Sequence, residues 1–95
     1  QALMVINNPN VRENAELLAA RMQGGTAADL AAAIKLGFML TVSREPNDSE
    51  LKEALAFLDV QTKSYSASGN AMPAQTALVD FAQVLLGLNE FVYIE

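Results

Sequence analysis

The chain has 95 residues, a length that supports one hydrophobic core, and it is 52% apolar with a net charge of −5. That hydrophobicity excludes a disordered tail, and six basic against eleven acidic side chains argue against a nucleic-acid surface. Histidine and cysteine are both absent, which removes imidazole bases, thiol nucleophiles, disulfides and zinc sites of the usual ligand types.

The first segment, Ala2 to Ile6, reads as a short apolar helix or an extended lead-in. It stops at Asn7-Asn8-Pro9, where Asn8 suits an N-cap and Pro9 the first position of a new helix. That second helix is predicted over about 9–23. Val11, Ala15, Leu18 and Met22 share one face, with Arg12, Glu13, Glu16 and Arg21 mostly elsewhere. Gly24-Gly25 is read as its end.

A third helix is predicted from a Thr26 cap, with Asp29 three residues on, to about Val42. Leu30, Ile34, Phe38 and Thr41 mark its stripe. Ala27, Ala31 and Gly37 are small enough to let a neighbour come close. The segment is apolar nearly all round, so it is expected to be the central helix. At 13 residues from Leu30 to Val42, with Lys35 inside, it is too short to span a membrane. The Lys35 stem can lie along apolar surface while its amine reaches solvent.

Pro46 breaks the next connector. Asn47 with Glu50 is a cap signal for a fourth helix over about 48–63, with Leu51, Ala54, Leu55 and Leu58 toward the core. The stretch from Tyr65 to Met72, rich in Ser, Gly, Asn and Ala, reads as a flexible loop. Pro73 opens a fifth helix that reaches Leu88 at most, ended by Gly87 or Asn89. Leu78, Phe81, Ala82, Leu85 and Leu86 form its apolar face. The tail Phe91-Val92-Tyr93-Ile94 is expected to fold back and seal the bundle; the alternative is an exposed docking peptide. The fold class is all-α: a small bundle or orthogonal array of four to five helices, in one domain over 1–95. Because Gln1 stands first, the chain is read as a piece of a longer protein.

The chemistry available without His or Cys is narrow. Glu13 with Glu16 and Glu50 with Glu53 each lie one helical turn apart on polar faces, a solvated surface rather than a pair across a cleft. Asn47-Asp48-Ser49-Glu50 offers oxygens but lacks the central glycine of a calcium loop, and reads as a cap. Asp48-Ser49 is similar to the attachment site of acyl carrier proteins, but Glu50 stands where that site needs leucine. Asp80 sits in an apolar neighbourhood. It is expected to face water or cap a neighbouring helix; the alternative is a buried functional acid. Met4, Met22, Met39 and Met72 are read as core filler. No catalytic, cofactor or metal residue is assigned.

Three segments taken together resemble a known pattern. They are Gln1-Ala2-Leu3 through Asn7-Asn8-Pro9-Asn10-Val11-Arg12-Glu13; Arg44-Glu45-Pro46-Asn47-Asp48-Ser49-Glu50-Leu51 into Ala54-Leu55-Ala56-Phe57-Leu58; and Asp80-Phe81-Ala82-Gln83-Val84-Leu85-Leu86 through Asn89-Glu90-Phe91-Val92-Tyr93-Ile94-Glu95. In order and spacing they resemble the C-terminal helical region of large planctomycete-type exported proteins. Those proteins carry a cytochrome-c-like haem domain followed by domains of unknown function. The chain departs from the family's Gly-Arg-Pro-type turn at Arg44-Glu45-Pro46, and has Gly87-Leu88 where the family has Asn-Ser. The resemblance implies an exported or cell-envelope location and a place as the last helical module of a larger protein; a non-catalytic structural or interaction role is the expected function. Upstream domains of the parent chain would be its partners, with self-association as the other option. Acids such as Asp80 or Glu90 contributing to an enzyme site formed with upstream domains are the alternative. Leu3, Val5, Ile6, Phe91, Tyr93 and Ile94 are the expected interface.

Overall fold

The computed structural model describes residues 9–23 and 29–93, with side chains described over 10–23 and 29–88. Four helices follow one another: α1 (Pro9–Gln23), α2 (Leu30–Val42), α3 (Asp48–Ala67) and α4 (Pro73–Tyr93). No strand occurs among the described residues, and the fold is a small all-α bundle.

Helix α4 is the centre. Every residue from Ala77 to Leu85 is buried, so the helix is covered all round over these turns. It packs against α1, α2 and α3 alike. Phe81 joins two of these contacts, with its ring centroid 6.5 Å from Phe38 on α2 and 6.1 Å from Phe57 on α3. Ala15, Leu18, Ala19 and Met22 bring in α1. The expectation that the third predicted helix is central is therefore corrected. Its stripe of Ile34, Phe38 and Thr41 is buried, but Leu30 is 50% exposed. A 13-residue helix can be apolar on two faces and still have only one face covered.

Close packing explains Gly37. A Cβ there would lie 2.8 Å from Leu85 Cδ1 and from Met22 Cε. The notch accepts the Met22 tip and lets α1, α2 and α4 meet, as the small-residue reading expected.

Several ends differ from expectation. Asp29 is itself the N-cap of α2, its carboxylate accepting from the Ala31 N–H at 3.0 Å, rather than the third residue of a helix capped at Thr26. Thr26 and Gly24-Gly25 lie outside the described residues, as do the Asn8 cap and the Ala2–Ile6 segment. Helix α3 runs to Ala67 rather than Lys63. Tyr65 packs on the core, and this tertiary anchor extends the helix by a turn. The turn that ends it uses Gly69 at φ 86, a left-handed conformation natural to glycine, and Asn70 donates its N–H to the Tyr65 carbonyl at 3.0 Å. The remaining loop is held by Asn70 Oδ1, which accepts from the Met72 N–H at 2.8 Å and from the Thr76 hydroxyl at 3.3 Å. Helix α4 passes through Gly87 and Asn89 and takes in Phe91–Tyr93, so these residues continue the helix instead of folding back. One glycine costs a helix only about 1 kcal/mol.

The Asn47–Glu50 cap stands as expected. Asn47 Oδ1 accepts from the Glu50 N–H at 2.8 Å, and Glu50 Oε1 accepts from the Asn47 N–H at 3.0 Å. Helix α2 ends at Ser43, held left-handed at φ 63 with its N–H on the Phe38 carbonyl at 3.1 Å.

Candidate functional site

The side chains that converge do so around Asp80. It lies on α4 among Ala77, Leu78, Val79 and Phe81, and is 4% exposed. Burying a carboxylate without partners is prohibitively costly, so its oxygens must find donors. Three helices supply them. Arg12 on α1 donates through Nη1 to Oδ1 at 2.7 Å. Gln61 Nε2 and the Tyr65 hydroxyl, both on α3, donate to Oδ2 at 2.7 Å each. Gln61 and Tyr65 are four residues apart and so share a helix face. The same Arg12 nitrogen reaches Gln83 Oε1 at 3.0 Å, and Gln83 stands three residues after Asp80 on α4.

The electrostatics follow from these contacts. Partial burial pulls the Arg12 pKa down, but the hydrogen bond and charge of Asp80 outweigh it and hold the guanidinium above its ordinary value. The Tyr65 phenol is pushed up, first by donating to Asp80, since ionising it would lose that bond, and then by burial. Each Asp80 oxygen is engaged by a donor from within the chain. As it stands, the arrangement joins α1, α3 and α4; it does not present a free base or nucleophile. Gln83 Nε2, fully buried, has no hydrogen-bond partner among the described residues.

Asp80 is thus neither water-facing nor a cap, and that expectation is corrected. The buried alternative was the right placement, though its partners point to a structural joint. Part of it was readable: a single acid inside the apolar run from Ala77 to Leu86 must be paired. Arg12, assigned to a polar face, and Tyr65, assigned to a loop, could be found only with the helices in place. Lys35 is solvent-exposed, as read. Glu13, Glu16 and Glu53 are exposed as expected, and Glu50 is spent on its cap and on Arg44. Among the described residues no three His, Cys, Asp or Glu side chains gather as a metal site would require.

The expected interface falls at the margins. Leu3, Val5, Ile6 and Ile94 lie outside the described residues. Phe91 and Tyr93 belong to α4 by backbone, and their side chains, with that of Glu90, are likewise outside. The apolar surface that is visible lies on α2. Ala32, Leu36, Met39 and Leu40 follow at helical spacing on the face away from Ile34, Phe38 and Thr41. Leu36, Met39 and Leu40 are 38%, 47% and 38% exposed. The readable sign was a helix apolar all round in a chain too small to bury all of it. No helix among the described residues is long and apolar enough to cross a membrane. No family model matches the chain, and neither does any curated protein or solved structure.

Proposed function

We propose that the chain is a non-catalytic helical module that docks against another domain of the same, larger polypeptide, an exported protein of the planctomycete type that it resembles. The observation that carries this reading is the outer stripe of α2, apolar at Ala32, Leu36, Met39 and Leu40. Water-exposed apolar side chains at helical spacing favour a facing apolar surface. Three half-exposed side chains and an alanine offer on the order of a few hundred Å², well short of what two free proteins need for stable pairing. A tethered domain needs less, because the linker supplies effective concentration. The charge pattern agrees. Lys35 is the ionisable side chain at the edge of the stripe in a chain of net charge −5, so the facing surface is apolar with an acid placed for Lys35. The internal engagement of Asp80 supports a structural rather than a catalytic role.

The double substitution Leu36→Glu and Met39→Glu tests this. In the isolated chain it should abolish binding of a hydrophobic dye and leave the helical circular dichroism unchanged. In the longer polypeptide it should make the linker before this module several-fold more sensitive to limited proteolysis. Unchanged sensitivity there, with the fold intact, would overturn the reading.

A further inference from the structure

The Asp80 carboxylate is divided between two neighbours, and the halves differ in kind. Oδ2 faces α3 and takes two neutral donors, Gln61 and Tyr65. Oδ1 faces α1 and takes Arg12, whose side chain is 36% exposed. If α1 lifts away, Oδ2 keeps both partners while Oδ1 and the guanidinium gain water. The charge on Asp80 is therefore never stranded. Gln83 adds to this. Its Oε1 is bonded to Arg12, and its fully buried Nε2 has no partner among the described residues. A buried donor without an acceptor is a standing cost of the docked state. The apolar contacts of α1 come from four buried side chains, Ala15, Leu18, Ala19 and Met22.

We propose that α1 is a releasable strap, latched to α4 through Arg12, that opens as a unit while α2, α3 and α4 stay packed. Its release uncovers the notch at Gly37 where the Met22 tip lies. The device works because Asp80 is shared: the α3 half keeps the acid partnered, so the α1 half can open at moderate cost.

Native-state hydrogen exchange on the whole chain tests it through two substitutions. The readouts are the amides of Leu18 and Ala19 in α1 and of Phe81 and Ala82 in α4. In the unaltered protein the α1 amides should be less protected. Tyr65→Phe weakens the α3 half in both closed and strap-open states. It should therefore speed the α4 amides about tenfold or more and leave the α1 amides unchanged. Arg12→Gln destabilises only the closed state relative to the others. It should speed α1 and α4 amides alike, by about ten- to a hundredfold. Arg12→Lys, which keeps the charge, should give a smaller change of the same pattern and serves if Arg12→Gln does not fold. Equal protection of α1 and α4 in the unaltered protein would overturn the proposal. So would Tyr65→Phe speeding α1 as much as α4, or neither Arg12 variant speeding α1.

Discussion

Two arginine–carboxylate pairs in this molecule share a distance and little else. Arg12 meets Asp80, and Arg44 meets Glu50, each at 2.7 Å. The first spans 68 residues of chain and the second six. Asp80 is buried in the packed centre. Glu50 lies in the first turn of α3, where Arg44 from the α2–α3 connector grips both of its oxygens and stands 5.6 Å over the Phe38 ring. Geometry alone would rank the two-pronged Arg44 pair first. Burial reverses the order, because a pair in water replaces hydration at little net gain, whereas removing one member of a buried pair strands the other.

The largest expected effect comes from breaking the buried pair. Asp80→Ala takes the acceptor from Gln61 and Tyr65 and leaves Arg12 with the Gln83 oxygen in place of a carboxylate. It should cost about 3 kcal/mol, at the low end for such pairs because Arg12 reaches solvent. Urea unfolding checks this, and a cost below that of Arg44→Ala would break the comparison. Gly37→Val sharpens it by testing the apolar side of the α1 attachment. The added methyls collide with Met22 and Leu85, and overpacking should cost about 1–3 kcal/mol. Comparing its denaturation midpoint with that of Asp80→Ala separates latch from notch.

The connector should respond more gently, and in one case favourably. Ser43 holds a left-handed conformation at φ 63 without being glycine. Ser43→Gly should stabilise the chain by about 0.5–1 kcal/mol, the relief of the Cβ clash exceeding the added chain entropy. A thermal melt that falls instead would show that the Ser43 side chain contributes more than its backbone costs. Arg44→Ala should cost least, about 0.5–1 kcal/mol, and less as salt is added. The connector also has a pH signature. Bonding to Arg44 is the main cause that holds the Glu50 carboxyl down, from its ordinary 4.5 to about 2. Its folded-state pKa is thus depressed, so its contribution is complete above about 4.5 and is lost as pH falls through about 2. An NMR titration of Glu50 should show the low value, returning to the ordinary range in Arg44→Ala.

The two pairs also mark how far the residues could be read in order. Asn47 and Glu50 lie three apart, and their capping box was legible because both partners belong to one turn of chain. The bounds of α1 and the buried Ala15, Leu18 and Met22 followed from spacing in the same way. Reading by local signals also erred, and for one reason. Gly87 looked like a helix end and Tyr65 like a loop residue, yet both local preferences are weak: one glycine costs a helix only about 1 kcal/mol, and Tyr65 is held on the core. α2 looked central because hydropathy records what could be buried and not what is covered.

Composition and periodicity determined that this chain makes amphipathic helices, about where most of them start, and that it lacks thiol and imidazole chemistry. Helix formation depends on neighbours within a turn, so the linear order already contains it. Only the tertiary structure decided that α4 is enclosed, that α2 keeps one apolar side in water, and that Arg12, Gln61 and Tyr65 meet at Asp80. Those outcomes depend on which faces compete for the same limited interior, a choice made between segments distant in the chain.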